Sequence, residues 1–390
     1  MARQMLQYEN VPMEANKVLA QKQRITYLDL LRGIAILAVV TIHVTSYPVA
    51  FLSMDSTVYP IYFILNAASQ FAVPAFLFLS SLVLFYRYDG GVQGNWLLFY
   101  WKRLKRILLP YLFWSVYYST YLSYIQHISF SDGLRKFLKG LPLGGSYDHL
   151  YFMIIIAQFY VLFPLLSLLF QKIGQVRRHP ILVGALLQIA FYLLNYYVLH
   201  MHKTGTFVMT YVVYFFLGAY MAERLKGVSS DETPKWNYRW TALFLGSAML
   251  FIVQKWLQLA NPHWTRQPFL SNINFITDYA YCSMACVFLV LFVRILEGKP
   301  RLQKVLFSLG SCAFGIYFIH PYFLILWRHF VMTSGPIAYH LLTWAGGAAA
   351  LAASWLITWL LMHTPLGVYL VGESKWKARN KCGASQSGTM

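Results

Sequence analysis

Apolar residues in this chain come in long, almost uncharged runs separated by short polar breaks, not in the narrow periodic stripes of a soluble amphipathic helix. A membrane-crossing helix needs about 20 consecutive, mostly apolar residues. Runs of that length predict helices at 27–47, 58–86, 107–127, 149–170, 181–199, 207–223, 239–257, 273–294, 305–326 and 341–363, ten in all. The expected fold class is therefore all-α, a polytopic membrane bundle. Lys255 and Asp278 interrupt the seventh and eighth runs and shorten their uncharged cores. With a cytoplasmic N-terminus, the inside segments hold 24 Lys and Arg residues and the outside loops 7, with Arg32 at the end of the first run. Cytoplasmic loops carry the excess of Lys and Arg, so both termini are expected in the cytoplasm.

Composition agrees with this pattern. Of 390 residues 58% are hydrophobic and 12% charged, where a soluble domain has about 25% charged. The net charge of +19 is spread over short loops, which marks topology and argues against a nucleic-acid surface. Residues 1–26 read as a polar cytoplasmic tail, 27–370 as the membrane domain and 371–390 as a basic tail without a fixed fold. A cleaved signal peptide is disfavoured, because the first apolar run starts late and contains Asp29 and Arg32. Cys282 and Cys286 lie one helical turn apart, but no second Cys/His pair of metal-ligand spacing accompanies them. Cys382 is not placed for prenylation ahead of the terminal SGTM. Neither a Walker loop nor a dinucleotide glycine fingerprint is present, so no permanently bound cofactor and no metal are expected.

Within the first run, LDLLRGIAILAVVTIHV, Arg32 and His43 are eleven residues apart. Eleven helical steps make three turns plus about 20°, so both side chains leave one face, roughly 16 Å apart along the axis. Ionisable residues are costly inside a bilayer and usually mark a functional interior. Asp29 and Arg32, at i and i+3, also suit a simple interfacial salt pair. His43 lies deeper, accompanied by Thr41, Thr45 and Ser46. Lys102, Arg103, Lys105 and Arg106 precede the run ILLPYLFW. Positive-inside anchoring accounts for such a cluster, but Arg103 and Arg106 share a helical face and suit a phosphate. Towards the opposite side stand His149 in YDHLYFM and His320 in FGIYFIHPYF, where Pro321 removes a backbone donor and is expected to open the helix locally.

These blocks together resemble the membrane-bound acyltransferase 3 superfamily. The resemblance rests on LDLLRGIAILAVVTIHV with its Arg-x10-His spacing, FAVPAFLFLSSLVLFY, WKRLKRILLPYLFW, DHLYFM and SLGSCAFGIYFIHPYF, in order, over residues 27 to about 365. It implies a ten-helix membrane enzyme that takes an acyl group, commonly acetyl, from cytoplasmic acyl-CoA and passes it to an acceptor such as a cell-envelope sugar. Carried over by position, His43 corresponds to the family's essential histidine and Arg32 to the arginine of its first motif. Arg103 and Arg106 correspond to the basic motif associated with the donor. Two positions depart from the pattern: Ser81 stands where glycine often follows Ser80, and Tyr151 stands where tryptophan is common. The first puts a close helix approach in question, and the second bears on acceptor stacking.

The resemblance and the residue pattern meet in one expectation. The phosphates of acyl-CoA dock on Arg103, Arg106 and Arg32, and the pantetheine arm carries the thioester to His43. His43 then serves as general base toward a hydroxyl, or alternatively as a nucleophile that forms an acyl-imidazole. Asp29, Ser80, His149, Ser311, Tyr317 and His320 are second candidates for orienting the imidazole or stabilising the oxyanion. The expected partners are the lipid bilayer, acyl-CoA and a carbohydrate or lipid-linked glycan, in the cell membrane. The acceptor would meet the outer loops at 48–57, 128–148, 258–272 and 327–340, with Trp264, Tyr147 and Tyr322 available for stacking. Two competing classes are an exporter or flippase of polysaccharide, which intramembrane charge also suits, and a scaffold subunit, which has no use for the Arg103/Arg106 pair.

Overall fold

The apolar runs fold as helices, and no strand occurs among the described residues. The computed structural model describes residues 13–88, 96–201, 203–226, 238–261, 263, 268–296, 299–332 and 335–375. Trp264 and Cys382 lie outside these residues. The first helix, α1 (Met13–Phe51), starts well before residue 27, because its leading residues are mostly strong helix formers such as Glu, Ala, Lys and Gln. The run predicted at 58–86 is broken into α2 (Tyr59–Ala68) and α3 (Ala72–Arg87). Pro74 has no N–H to offer the carbonyl four residues back, and Ser69 turns its hydroxyl onto the Leu65 carbonyl (2.7 Å). The basic cluster at 102–106 sits inside the early turns of α4 (Trp96–Ile125).

The segment expected as an outer loop at 128–148 contains a short helix, α5 (Phe130–Gly140), capped by Ser129 Oγ, which accepts from the Asp132 N–H (3.2 Å). After a 3₁₀ turn, Gly144 takes φ +69° and lets the Tyr151 backbone pass where a Cβ would sit. The chain continues through α6 (Tyr151–Lys172), α7 (Gly174–Arg178) and α8 (Pro180–Leu194), the last prolonged by a π-helical turn at Asn195–Leu199. Then come α9 (Val212–Lys226), α10 (Tyr238–Ala260), α11 (Pro268–Ile295), α12 (Pro300–Met332), α13 (Pro336–Met362) and α14 (Gly367–Leu370). Eight segments of the described residues are long and apolar enough to cross a membrane. The other two expected runs lie in α4, where tyrosines and serines dilute the aliphatic residues, and in α9, whose α-helix has only 15 residues. The protein is an all-α, multi-pass membrane protein.

Helix α12 packs most extensively against α1 and α13. The α1/α12 contact is backbone on backbone: a Cβ on Gly310 would lie 1.7 Å from the Asp29 carbonyl oxygen, and one on Gly33 2.2 Å from that of Leu306. The approach that Ser81 put in question is kept by its partner. Gly218 on α9 leaves room for Ser81, whose hydroxyl donates to the Phe215 carbonyl (2.5 Å). Pro321 leaves α12 continuous as far as Met332, so the local opening expected there does not interrupt the helix.

Candidate functional site

The tight α1/α12 seam sets His43 beside His320, with ring centroids 5.1 Å apart. His149, in the turn just before α6, completes a triangle at 6.2 Å from His43 and 6.1 Å from His320. Its position is fixed from three sides. Tyr317 on α12 donates its hydroxyl to the His149 carbonyl, and Tyr118 on α4 donates to the Phe318 carbonyl (2.7 Å). Tyr147 stacks on Tyr118 (4.7 Å) and meets the His149 ring edge-on (5.3 Å). On α12, His320 Nδ1 lies 2.7 Å from the Ile316 carbonyl, which can only accept, so Nδ1 carries the proton. Its Nε2 then presents a lone pair. That atom and both ring nitrogens of His149 are buried with no hydrogen-bond partner among the described residues. Buried polar atoms are rarely left so, and each one in a native fold calls for a reason, of which a catalytic role is one.

His43 is half-buried and opens onto a cavity of about 840 Å³, within the size of small-molecule sites. His149, Tyr151, Gln70, Lys255 and Asp278 share that lining. The lining draws on the late turns of α1 and α10, the early turns of α3 and the start of α6, so the cavity lies towards one end of the bundle and reaches mid-helix at Asp278 and Tyr317. Arg328 on α12 reaches across the seam, donating to the His43 carbonyl (2.9 Å) with its guanidinium 5.6 Å from the Tyr47 ring centre. Lys255 and Asp278 meet at 2.9 Å on the wall formed by α10 and α11.

The basic end is arranged separately. Arg32 pairs with Asp29 at 2.6 Å, the salt pair that their spacing allowed. Arg103 lies 6.0 Å from the Tyr88 ring centre and 5.8 Å from that of Tyr160, while Arg106 is exposed. None of these three arginines lines the cavity. Two second candidates are not placed to orient His43. Ser80 donates to the Phe76 carbonyl (2.8 Å) and Ser311 to that of Ser308 (2.9 Å), so each hydroxyl is used within its own helix. Thr41, Thr45 and Ser46 likewise bond carbonyls of α1. Among the proposed stacking residues, Tyr147 abuts the histidines, whereas Tyr322 packs on Tyr117 (5.6 Å) and Tyr121 (6.0 Å). No group of His, Cys, Asp and Glu among the described residues is arranged to hold a metal ion.

Several site residues escaped the sequence reading. Tyr118 and Arg328 look like ordinary interfacial residues in a sequence, and Gln70 sits inside a run counted as spanning. Lys255 and Asp278 did leave a signal: opposite charges set into neighbouring apolar runs, where each alone would be costly.

A histidine with two further imidazoles behind it and a ligand-sized cavity before it can remove a proton from a bound hydroxyl and share it among neighbours. Comparisons with known proteins relate the chain to two groups. Proteins named probable poly-beta-1,6-N-acetyl-D-glucosamine export protein, from Staphylococcus aureus strains Mu50 and MSSA476, are each 27% identical over 267 residues, covering 64% of this chain and 68% of theirs. No solved structure matches the chain. The profile of the acyltransferase domain family, acyltransferase 3, matches residues 25–361, so the chain belongs to that family of membrane acyltransferases.

Proposed function

We propose that the protein transfers an acyl group, acetyl in the simplest case, from acyl-CoA to a hydroxyl of an extracytoplasmic or lipid-linked carbohydrate, with His43 as the general base. The observation that carries this reading is the opening of His43 onto the cavity, backed by His149 and His320. The acceptor hydroxyl attacks the thioester carbonyl as His43 takes its proton. The tetrahedral intermediate then collapses to an ester, and CoA leaves as the thiol after receiving a proton. With Nδ1 protonated, His320 keeps Nε2 as an uncharged acceptor, its ring centroid 5.1 Å from that of His43. The sidedness follows from the Lys/Arg asymmetry, which assigns the basic end to the cytoplasm and the cavity to the outside. The CoA phosphates would meet Arg103 and Arg106 at the cytoplasmic end, with Arg32 close to the same level.

The test is a full-length preparation in vesicles supplied with acetyl-labelled acetyl-CoA and a carbohydrate acceptor. Label should appear as an alkali-labile ester on the sugar, and its absence at saturating donor and acceptor overturns the reading. The double variant Arg103→Ala, Arg106→Ala should raise the donor KM by about tenfold, since two charge-assisted contacts are removed. An unchanged donor KM would leave both arginines as topological anchors.

A second reading, passage of a polysaccharide across the membrane, is favoured by the name of the staphylococcal relatives. It predicts accumulation of unmodified sugar inside inverted vesicles without any acyl donor, which acyl transfer alone does not.

A further inference from the structure

The Lys255–Asp278 ion pair lines the cavity, and the acyl-transfer chemistry leaves it unused. Both line the same space as His43, and their side chains retain 28% and 41% exposure, so the pair faces the cavity. Nothing about holding the helices together requires it. From the residues directly before the pair, Gln254 donates to Asn274 Oδ1 (2.5 Å) and Thr277 donates to Gln254 Oε1 (2.8 Å), which already joins α10 to α11. An ion pair withdrawn from water is a poor source of stability, since desolvation offsets most of the Coulombic gain. It does hold strong donors and acceptors in a fixed place.

We propose that the Lys255–Asp278 pair is the acceptor-recognition wall of the cavity, and that it selects a neutral, polyhydroxylated sugar. This inference rests on the acyl-transfer reading and names the acceptor class of that same site. The two charges cancel, so the wall has hydrogen-bonding capacity without net charge. An ammonium with free N–H donors beside a carboxylate with free lone pairs matches vicinal hydroxyls, each of which both donates and accepts. A phosphate, a carboxylate or an amine gains from one partner what it loses to the other, so the pair gives a charged ligand no net Coulombic advantage. Gln70 and Gln258 add uncharged amides to the lining, and Tyr279 adds an aromatic ring. A sugar held on this wall lies in one cavity with His43, so a hydroxyl turned away from the pair can meet the base.

The test uses the full chain in detergent with a β-1,6-linked N-acetylglucosamine oligosaccharide as probe, its binding followed by calorimetry. Single variants strand a charge in the cavity and are poor reporters. The double variant Lys255→Met, Asp278→Leu replaces the pair with apolar side chains and should keep the thermal midpoint of the native chain. Its affinity for the oligosaccharide should fall at least tenfold, while acetyl-CoA binding stays within twofold. Oligosaccharide affinity within twofold of native, or no binding by the native chain, overturns the recognition wall. Failure of the reaction reading is distinguishable: sugar binding would depend on the pair, supporting the wall, yet no acetyl group would reach the bound sugar.

Discussion

His43→Gln should lower acyl transfer to the carbohydrate by about 10²- to 10⁴-fold, the range typical of removing a general base. The substitution removes the titrating imidazole with little change in volume. Arg328 grips the His43 carbonyl and not its ring, so the helix seam should survive the change. The loss should therefore appear in kcat at unchanged membrane abundance and unchanged acceptor affinity. Labelled ester formation in vesicles, normalised to protein content, measures it. Activity within threefold of native would remove His43 from the chemistry. A labelled acyl group trapped on His43 of the native protein during turnover would instead replace base catalysis by a covalent route.

The site was partly legible in the sequence, and its two halves were legible for different reasons. Arg32 and His43 could be related to one another because eleven residues on one helix fix an angle and a distance without tertiary structure. His149 and His320 could each be marked as unusual, since an imidazole near a helix end in a membrane needs an explanation. Their convergence on His43 could not be read, because it joins three segments far apart in the chain. It depends on glycines that let α1 and α12 touch and on a turn that carries His149 inward. The charges at 255 and 278 were visible as interruptions of apolar runs, and the pairing that makes them tolerable needs two helices side by side. Ser80 and Ser311 show the converse error. A hydroxyl in a helix has a carbonyl one turn back always within reach, and both serines take it.

Element boundaries followed the same logic. Spanning runs were legible because hydropathy over some 20 residues averages out local detail. The break between α2 and α3 was not, although Ser69 and Pro74 mark it, because both flanks are apolar enough to read as one span. Helix α5 was missed since a short amphipathic helix carries no spanning signal. Both omissions matter for function: the first opens the cavity wall at Gln70, and the second lies in the outer segment that delivers His149.

Among the described glycines, Gly310→Ala should be the most damaging added methyl. Its Cβ would sit 1.7 Å from the Asp29 carbonyl oxygen, an atom of α1's backbone with no rotamer to escape into. Overpacking of ordinary cores costs about 1–3 kcal/mol, and a clash with fixed backbone belongs at or above the top of that range. The two helices must separate to admit the methyl group, and His43 moves away from His320 as they do. Stability and transfer should therefore fall together, read as a lower thermal midpoint in detergent and a lower kcat. Gly246→Ala is the control on α10, where an added Cβ meets nothing within 4 Å. There the gain in helix propensity should hold or raise stability by under about 1 kcal/mol, with transfer unchanged. If Gly310→Ala matched Gly246→Ala in both measurements, the α1/α12 seam would be wider than described, and the contact between His43 and His320 would go with it.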